Sequence, residues 1–312
     1  MLTQVYYNKE KNFTWIDVIS PNLEDLDELA TSYKLPKELL HDSIEADHLP
    51  KFENIADIDF LILRGYDDCA SQDDELKVST LTRKLALFFT KDFLITIHRS
   101  EQIHLERVKN LYNRTTENFQ AHKLIAKIIK ETVLTYDKPI EASLIQFDAI
   151  EYAVHKRENE PFIMERIFAV KKENSVYRRM LRMSIEVIHK LQSSNTLPRL
   201  LVQDLKEETE DLVFYTEDLS ENINNLLNLH MSLISQETNE SSFKTNEVMR
   251  VLTVLSLFFL PLNLIVGIYG MNFENMPELK TQYGYFFTLG IMASVALGIY
   301  LWFRKKGWMK ND

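Results

Sequence analysis

The chain of 312 residues is 26% charged and 45% hydrophobic, with a formal net charge of −10; taken alone, these figures describe a soluble protein of one or two domains. A single cysteine, Cys69, excludes an intrachain disulfide, and the acidic balance points away from a nucleic-acid partner. Residues Met1 to Val5 lack the charged-then-apolar layout of a signal peptide, so the expectation for roughly the first 240 residues is a reducing cytosol.

Residues 1–98 read as a small cytoplasmic α/β domain. Strand-like alternation covers 4–8, 13–19, 58–64, 78–90 and 93–98, and helical spacing covers 22–33 and 36–46. Only one of the seven glycines, Gly65, precedes position 267, so few residues suit left-handed turns and long helices should dominate. Residues 99–198 read as antiparallel cytoplasmic helices, a pattern interrupted between about 101 and 192 only at Pro139 and Pro161. They collect Arg157, Arg166, Lys171, Lys172, Arg178, Arg179, Arg182 and Lys190.

After Pro198 neither proline nor glycine occurs until Pro261, which predicts one stalk helix over 199–269, about 60 residues or ~90 Å before the proline. Leu205, Leu212, Leu219, Leu226 and Leu233 recur every seven residues, a coiled-coil-like seam whose companion positions Glu208, Tyr215 and Asn222 are not apolar. Packing partners are therefore required, from other copies or from the basic helices of the same chain. The stretch 200–246 holds ten acids against Lys206 and Lys244, and Asp204, Glu208, Asp211 and Asp218 share one side. This is either a solvated face partly matched by the basic helices or a regulatory metal site. In the second case an intracellular divalent cation would bridge these carboxylates to Asp42, Asp47, Asp67 or Asp68 of a neighbouring copy. His41, Glu45, Asp47 and His48 raise a transition-metal site as a lesser alternative to a plain polar helix end before Pro50.

The apolar mass lies at the C-terminal end. Runs over about 248–267 and 285–303 hold roughly twenty residues each, enough to cross ~30 Å of hydrocarbon. The first span is thus the end of the stalk helix, about 248–269, and residues 270–284 form the loop between spans. The tail 304–312 carries Arg304, Lys305, Lys306 and Lys310, whereas the loop offers Glu274, Glu278 and only Lys280. The positive-inside tendency puts both termini in the cytoplasm of a cell (inner) membrane protein. Six Lys/Arg and four Asp/Glu follow residue 246, so the net charge of −10 becomes −12 for everything before it.

Small and polar residues of the first span are not scattered. Asn246, Thr253, Leu260 and Gly267 lie seven apart, and Met249, Ser256, Asn263 and Gly270 form a second series offset by three. Together they make a narrow stripe, opposite Val251, Val254, Leu255, Phe258, Phe259, Leu262, Ile265 and Val266. Such a stripe inside a membrane must face protein or water. It either joins helices, as small residues commonly do, or borders a pore enclosed by several copies around an axis. Met249 and Leu260 would then be constrictions that gate by dewetting.

Tyr269-Gly270-Met271-Asn272 and Met276-Pro277-Glu278-Leu279, set between two terminal spans, carry a family resemblance. With them go Thr245-Asn246-Glu247-Val248-Met249, Pro261-Leu262 and the Arg304-Lys305-Lys306 cluster. On these residues the chain resembles the CorA family of magnesium transporters, closely over 240–310 and loosely elsewhere. The resemblance implies a funnel-shaped homopentameric channel with an α+β cytoplasmic domain, long helices and two C-terminal transmembrane helices. In it the first span lines the pore and the second forms an outer ring. Gly270, Met271 and Asn272 would form the outer selectivity ring, Asn246 the cytoplasmic end of the pore, and Met249 and Leu260 the gate. Asn263 stands where the family often carries Thr.

The chemistry is compatible with that role. Mg²⁺ dehydrates reluctantly, so a site that admits and releases it should contact its water shell through neutral carbonyls, which five Asn272 carboxamides supply. Glu274 and Glu278 can concentrate cations at the mouth. No cofactor is implied: Mg²⁺ is the substrate and the expected regulatory ligand. A Zn²⁺ transporter of the related ZntB type, passage of Co²⁺ or Ni²⁺, and a non-conducting membrane-anchored sensor are the alternatives. An enzyme is disfavoured because no nucleophile-base or nucleotide-binding motif is present.

Overall fold

The computed structural model describes residues 2–8, 12–55, 57–67, 78–114, 120–157, 162–193, 196–272 and 276–306. Two compact units divide it, Met1–His230 and Met231–Asp312, and one long helix contributes to both.

In the first unit β1 (Leu2–Asn8), β2 (Phe13–Ile19), β3 (Lys51–Ile55), β4 (Ile58–Tyr66), β5 (Thr82–Phe89) and β6 (Phe93–His98) form one sheet in the order β1-β2-β6-β5-β4-β3. The pairing of β2 with β6 is parallel and the others are antiparallel. Side chains alternate between faces along each strand. Phe60, Ile62, Phe88, Ile95 and Ile97 point to one face, where α1 (Leu23–Tyr33) and α2 (Lys37–Ile44) cover them with Leu26, Leu29, Leu39 and Leu40. Leu61, Leu63, Leu85, Leu87 and Leu94 point to the other. There α4 (Ile103–Arg114), α5 (Ala121–Leu134) and α7 (Ile163–Lys190) supply Leu105, Ile128, Ile129, Tyr177 and Met180. The mixed sheet is thus buried on both sides.

Two local readings of the sequence are corrected. Lys51–Ile55 is an edge strand that alternation did not reveal. Val78–Leu81 is a helical turn, α3, and not the start of a strand, because the Thr82 hydroxyl donates to the Val78 carbonyl at 2.6 Å and closes the turn. Gly65 does not serve a left-handed turn either. A Cβ there would stand 3.2 Å from Thr135 Oγ1 and 3.3 Å from His104 Cε1, so it is close packing of β4 that excludes a side chain. Left-handed backbone falls instead on Asn12, Ser20, Lys34, Asp57, Arg157 and Phe162.

Pro139 does not break a helix. It is the third residue of α6 (Asp137–His155), where the missing N–H would have had no intrahelical partner. The chain breaks just before it, at Tyr136, whose buried hydroxyl donates to the Arg64 carbonyl at 2.9 Å. Pro161 lies outside the described residues.

Helix α8 runs from Arg199 to Tyr269 with Pro261 inside it. In the first unit its buried line is Val202, Leu205, Thr209, Leu212, Thr216, Leu219, Ile223 and Leu226, alternating steps of three and four. The leucine seam therefore has a companion series, 202, 209, 216 and 223, in place of the one sought at Glu208, Tyr215 and Asn222. Thr209 and Thr216 enter it because their hydroxyls donate to the Leu205 and Val213 carbonyls of their own helix. Antiparallel α7 lies alongside: Lys171 reaches Asn224 at 3.0 Å, Arg178 reaches Ser220 at 2.9 Å, and Arg182 Nε reaches Glu217 at 2.8 Å. Asn174 donates to the Thr216 carbonyl at 2.8 Å. The basic helix of the same chain supplies the partner for this seam.

The second unit contains the rest of α8, a 3-10 turn at Pro277–Lys280 and α9 (Gly284–Lys306). Both helices are long and apolar enough to cross a membrane. Their apolar stretches are almost wholly unburied, unlike the core helix of a soluble protein.

Candidate functional site

Partial burial in the second unit falls on one line of each helix. On α8 the line is Val254, Phe258, Leu262, Ile265 and Tyr269; on α9 it is Gly284, Thr288, Met292, Val295 and Ile299. With ~3.6 residues per turn, the stripe Asn246, Met249, Thr253, Ser256, Leu260, Asn263 and Gly267 is centred roughly 180° around α8 from its covered line. Every residue of the stripe is exposed. Thr253 satisfies its hydroxyl by donating to the Met249 carbonyl at 2.7 Å. The amides of Asn246 and Asn263 and the hydroxyl of Ser256 have no hydrogen-bond partner among the described residues. Those are the groups a membrane helix cannot turn toward hydrocarbon.

The helix ends where the Gly270-Met271-Asn272 motif begins. Gly270 N–H donates to the Val266 carbonyl at 2.9 Å and Met271 N–H to Ile268 at 3.3 Å, which satisfies two end carbonyls of α8. A Cβ on Gly270 would approach the Val266 oxygen to 3.2 Å, so glycine lets this close wrap form without displacing a carbonyl. Met271 and Asn272 follow as exposed residues. Glu274 lies outside the described residues. Glu278 falls in the Pro277–Lys280 turn, with its side chain outside the description.

The acidic face of α8 is more divided than its sequence implies. Glu208 forms an ion pair with Lys130 of α5, and Asp218 accepts from Asn222 at 3.1 Å. Asp204 and Asp211 are exposed and make no ion pair among the described residues. Of the four acids expected to face them from another copy, Asp42 is held by Lys51 at 2.5 Å and Asp67 by Arg83 at 2.7 Å. Asp47 is exposed, and Asp68 lies outside the described residues.

A metal-like grouping does form in the first unit, with altered membership: Asp42, Glu45 and His48 bring ligand atoms within 4.8 Å of one another, without His41 or Asp47. The i, i+3 spacing of Asp42 and Glu45 at the end of α2 was the available sequence signal. The group is already served by cations. Burial would raise the Asp42 carboxyl, but Lys51 outweighs it and holds the pKa below its ordinary value. Lys84 donates to the Asp42 carbonyl at 2.7 Å and to that of Glu45. Burial lowers the pKa of Lys84 to about 7.

Comparison with known proteins decides the family. Residues 10–305 match the family described as CorA-like Mg²⁺ transporter protein. The chain belongs to that family. It is 23% identical over 299 residues to the cobalt/magnesium transport protein CorA of Thermotoga maritima, covering 95% of this chain and 83% of that one. The complete structure of the CorA magnesium transporter from Methanocaldococcus jannaschii has the same fold, with a TM-score of 0.65 at 19% identity over 97% of this chain and 94% of that one. The ZntB cytoplasmic domain from Vibrio parahaemolyticus also shares the fold of the first part, with a TM-score of 0.53 at 14% identity over 74% of this chain and 88% of that one. The mixed-sheet domain, the long helix and the two terminal apolar helices are thus CorA features, and the chain is a membrane transporter of divalent cations by family.

Proposed function

We propose that this CorA-family chain is a passive Mg²⁺ uptake channel. Five copies surround a pore lined by α8, with the tail and the first unit on the cytoplasmic side. The observation that carries the reading is the stripe: its unpartnered amides and hydroxyl lie on the face of α8 turned away from the line that is half covered within its own unit. One chain with two spans cannot shelter that face from lipid, whereas copies around an axis turn every stripe toward shared water. Gly270, Met271 and Asn272 form the entrance, where neutral carboxamides hold a hydrated ion without a carboxylate cage. Met249 and Leu260 form the narrow apolar gate. A membrane potential near −100 mV contributes about 4.6 kcal/mol to inward movement of a divalent cation, so no nucleotide is needed. Internal Mg²⁺ closes the channel through Asp204 and Asp211, the two of the four acids expected on the stalk face that have neither an ion pair nor a side-chain hydrogen bond among the described residues.

The test is ion uptake into proteoliposomes with Mg²⁺, Zn²⁺ and Co²⁺ in turn, for wild type and Asn272→Ala. Wild type is expected to take up Mg²⁺, and Asn272→Ala to lose at least tenfold of that flux, about 1.4 kcal/mol in barrier. Zn²⁺ flux without Mg²⁺ flux would move the chain to the ZntB type. Absence of any flux would make it a non-conducting sensor.

A further inference from the structure

Helices α6 and α7 follow one another in the chain and pack together, each with a buried line: Phe147, Ile150 and Val154 on α6, and Ile167, Val170 and Asn174 on α7. At ~3.6 residues per turn, Glu141, Ile145, Asp148 and Tyr152 fall on the far side of α6 from its buried line, and Phe168, Lys172, Ser175 and Arg179 on the far side of α7 from its own. All eight are exposed. Ile145 is 63% exposed, Tyr152 57% and Phe168 53%, so more than half of each apolar side chain has no cover within its own chain. Glu141, Asp148, Lys172 and Arg179 make no ion pair among the described residues. Other cations of α7 are already engaged: Arg182 with Glu217, and Lys171 with Asn224 at 3.0 Å.

The two uncovered faces are opposite in charge and alike in spacing. Going up α6, Glu141, Asp148 and Tyr152 are separated by seven and then four residues. Going down α7, Arg179, Lys172 and Phe168 are separated by seven and then four as well. Seven residues span ~10.5 Å of helix, so an antiparallel pairing sets acid against base twice and ring against ring once, all in one register. The same register puts Ile145 level with Ser175, between the two charge pairs. The match ends one turn further on, where Lys138 meets Arg182, a cation that Glu217 already holds.

We propose that the outer face of α6 in one copy docks on the outer face of α7 in the next, pairing Glu141 with Arg179, Asp148 with Lys172 and Tyr152 with Phe168. The contact rests on the reading of copies around an axis, and it adds where their first units touch. α7 lies along α8, the pore helix of that reading, so a rotation about the direction of α8 keeps residues level and brings α6 antiparallel to the α7 of the neighbour. The occupant is a second copy because this chain carries both halves of the match. A contact between two α6 faces would set Glu141 and Asp148 against like charges, which is costly. A head-to-tail contact of α6 on α7 instead repeats from copy to copy and can close a ring.

The experiment co-expresses two differently tagged forms of the full-length protein in a Cys69→Ser background, one with Ile145→Cys and the other with Ser175→Cys, and oxidises them in the membrane. Each copy then holds one cysteine, so a disulfide joins two copies. A product carrying both tags is expected, and none from either form expressed alone. Glu141→Lys with Asp148→Lys in the first form should lower the mixed product at least about tenfold by opposing like charges, and Lys172→Glu with Arg179→Glu in the second form should restore it. The proposal is overturned if the mixed product is absent, if either form alone gives as much, or if the second pair of reversals fails to rescue the first. Asn263→Cys, oxidised in parallel, separates this contact from the reading beneath it. A ladder of copies at Asn263 without the mixed product removes the α6 to α7 contact and leaves the shared pore, whereas loss of both removes the ring itself.

Discussion

Asp17 shows how one buried carboxylate ties two layers of the first unit together. It sits on β2, its side chain 1% exposed, with His98 Nε2 of β6 at 3.0 Å and Lys109 Nζ of α4 at 2.6 Å. Thr96 donates to the same carboxylate, and the Trp15 indole donates to Thr96 Oγ1 at 3.1 Å. The other ring nitrogen of His98 lies 2.6 Å from the Ser100 carbonyl, so both nitrogens face acceptors. Burial would raise the Asp17 carboxyl, but His98, Lys109 and Thr96 outweigh it and hold the pKa below its ordinary 3.8. Because the folded value is the lower one, the cluster contributes fully above the unfolded pKa and loses its contribution as pH falls through the folded value. Asp17→Asn removes the buried carboxylate that Lys109, His98 and Thr96 share, a change that costs about 3–5 kcal/mol in such settings. Urea unfolding followed by tryptophan fluorescence should therefore show a lower midpoint for the variant at pH 7. The gap should narrow as the pH drops below 3.8, where the wild type loses the same interaction. A constant gap across that range would assign the loss to packing and not to charge. Nothing in the sequence announced this cluster, since Asp17 and Lys109 are 92 residues apart.

Elements were legible where their periodicity was strong. β2 and β6 are found at 13–19 and 93–98 as the alternation predicts, because apolar side chains occupy both faces of a sheet covered on both sides. β3 escaped because Lys51, Glu53 and Asn54 dilute its pattern and an edge strand needs only one buried anchor, here Phe52. The turns escaped for a different reason: a chain poor in glycine places left-handed backbone on residues such as Lys34 and Phe162, which carry no turn signal. The length of α8 was legible from the missing prolines and glycines, but its partner was not, since the contacts of α7 with α8 join residues 35 to 53 apart. That contact sets a test of the element. Leu219 is 0% exposed on the buried line of α8, so Leu219→Ala should cost about 2–5 kcal/mol through lost burial and a residual cavity. The exposed neighbour Asp218→Ala should change stability by less than about 0.5 kcal/mol. Hydrogen exchange of α7 amides is the readout. Faster exchange in the Leu219 variant alone is expected, and equal exchange in both variants would mean that the seam does not hold α7.

At the scale of the molecule the question is how an acidic first unit and an exposed polar stripe serve a single flux. The regulatory reading rests on Asp204 and Asp211, because Glu208 is neutralised within the chain by Lys130. Asp211→Asn should leave uptake intact when internal Mg²⁺ is low and raise, by roughly tenfold, the internal Mg²⁺ needed to halve it. Inhibition unchanged from wild type would remove the stalk face from regulation. The stripe makes the stronger demand, because it fixes where other copies must be. If it borders water shared by several chains, a cysteine at Asn263 in a Cys69→Ser background should cross-link copies on oxidation, in a ladder that ends at five. A cysteine at Leu255, on the opposite side of α8, should not. On the same condition an apolar group in place of the Asn263 carboxamide would remove a partner for the hydration shell of a passing ion, so Asn263→Leu should lower Mg²⁺ uptake by at least about tenfold. Asn263→Thr, which keeps a polar group on a shorter side chain, should retain flux. The two measurements constrain each other. Cross-linking at Asn263 with undiminished flux in Asn263→Leu would leave the stripe as a joint between helices, the role small and polar residues play in non-conducting bundles. Loss of flux without cross-linking would mean that the carboxamide acts within one chain, and the shared pore would have to be abandoned.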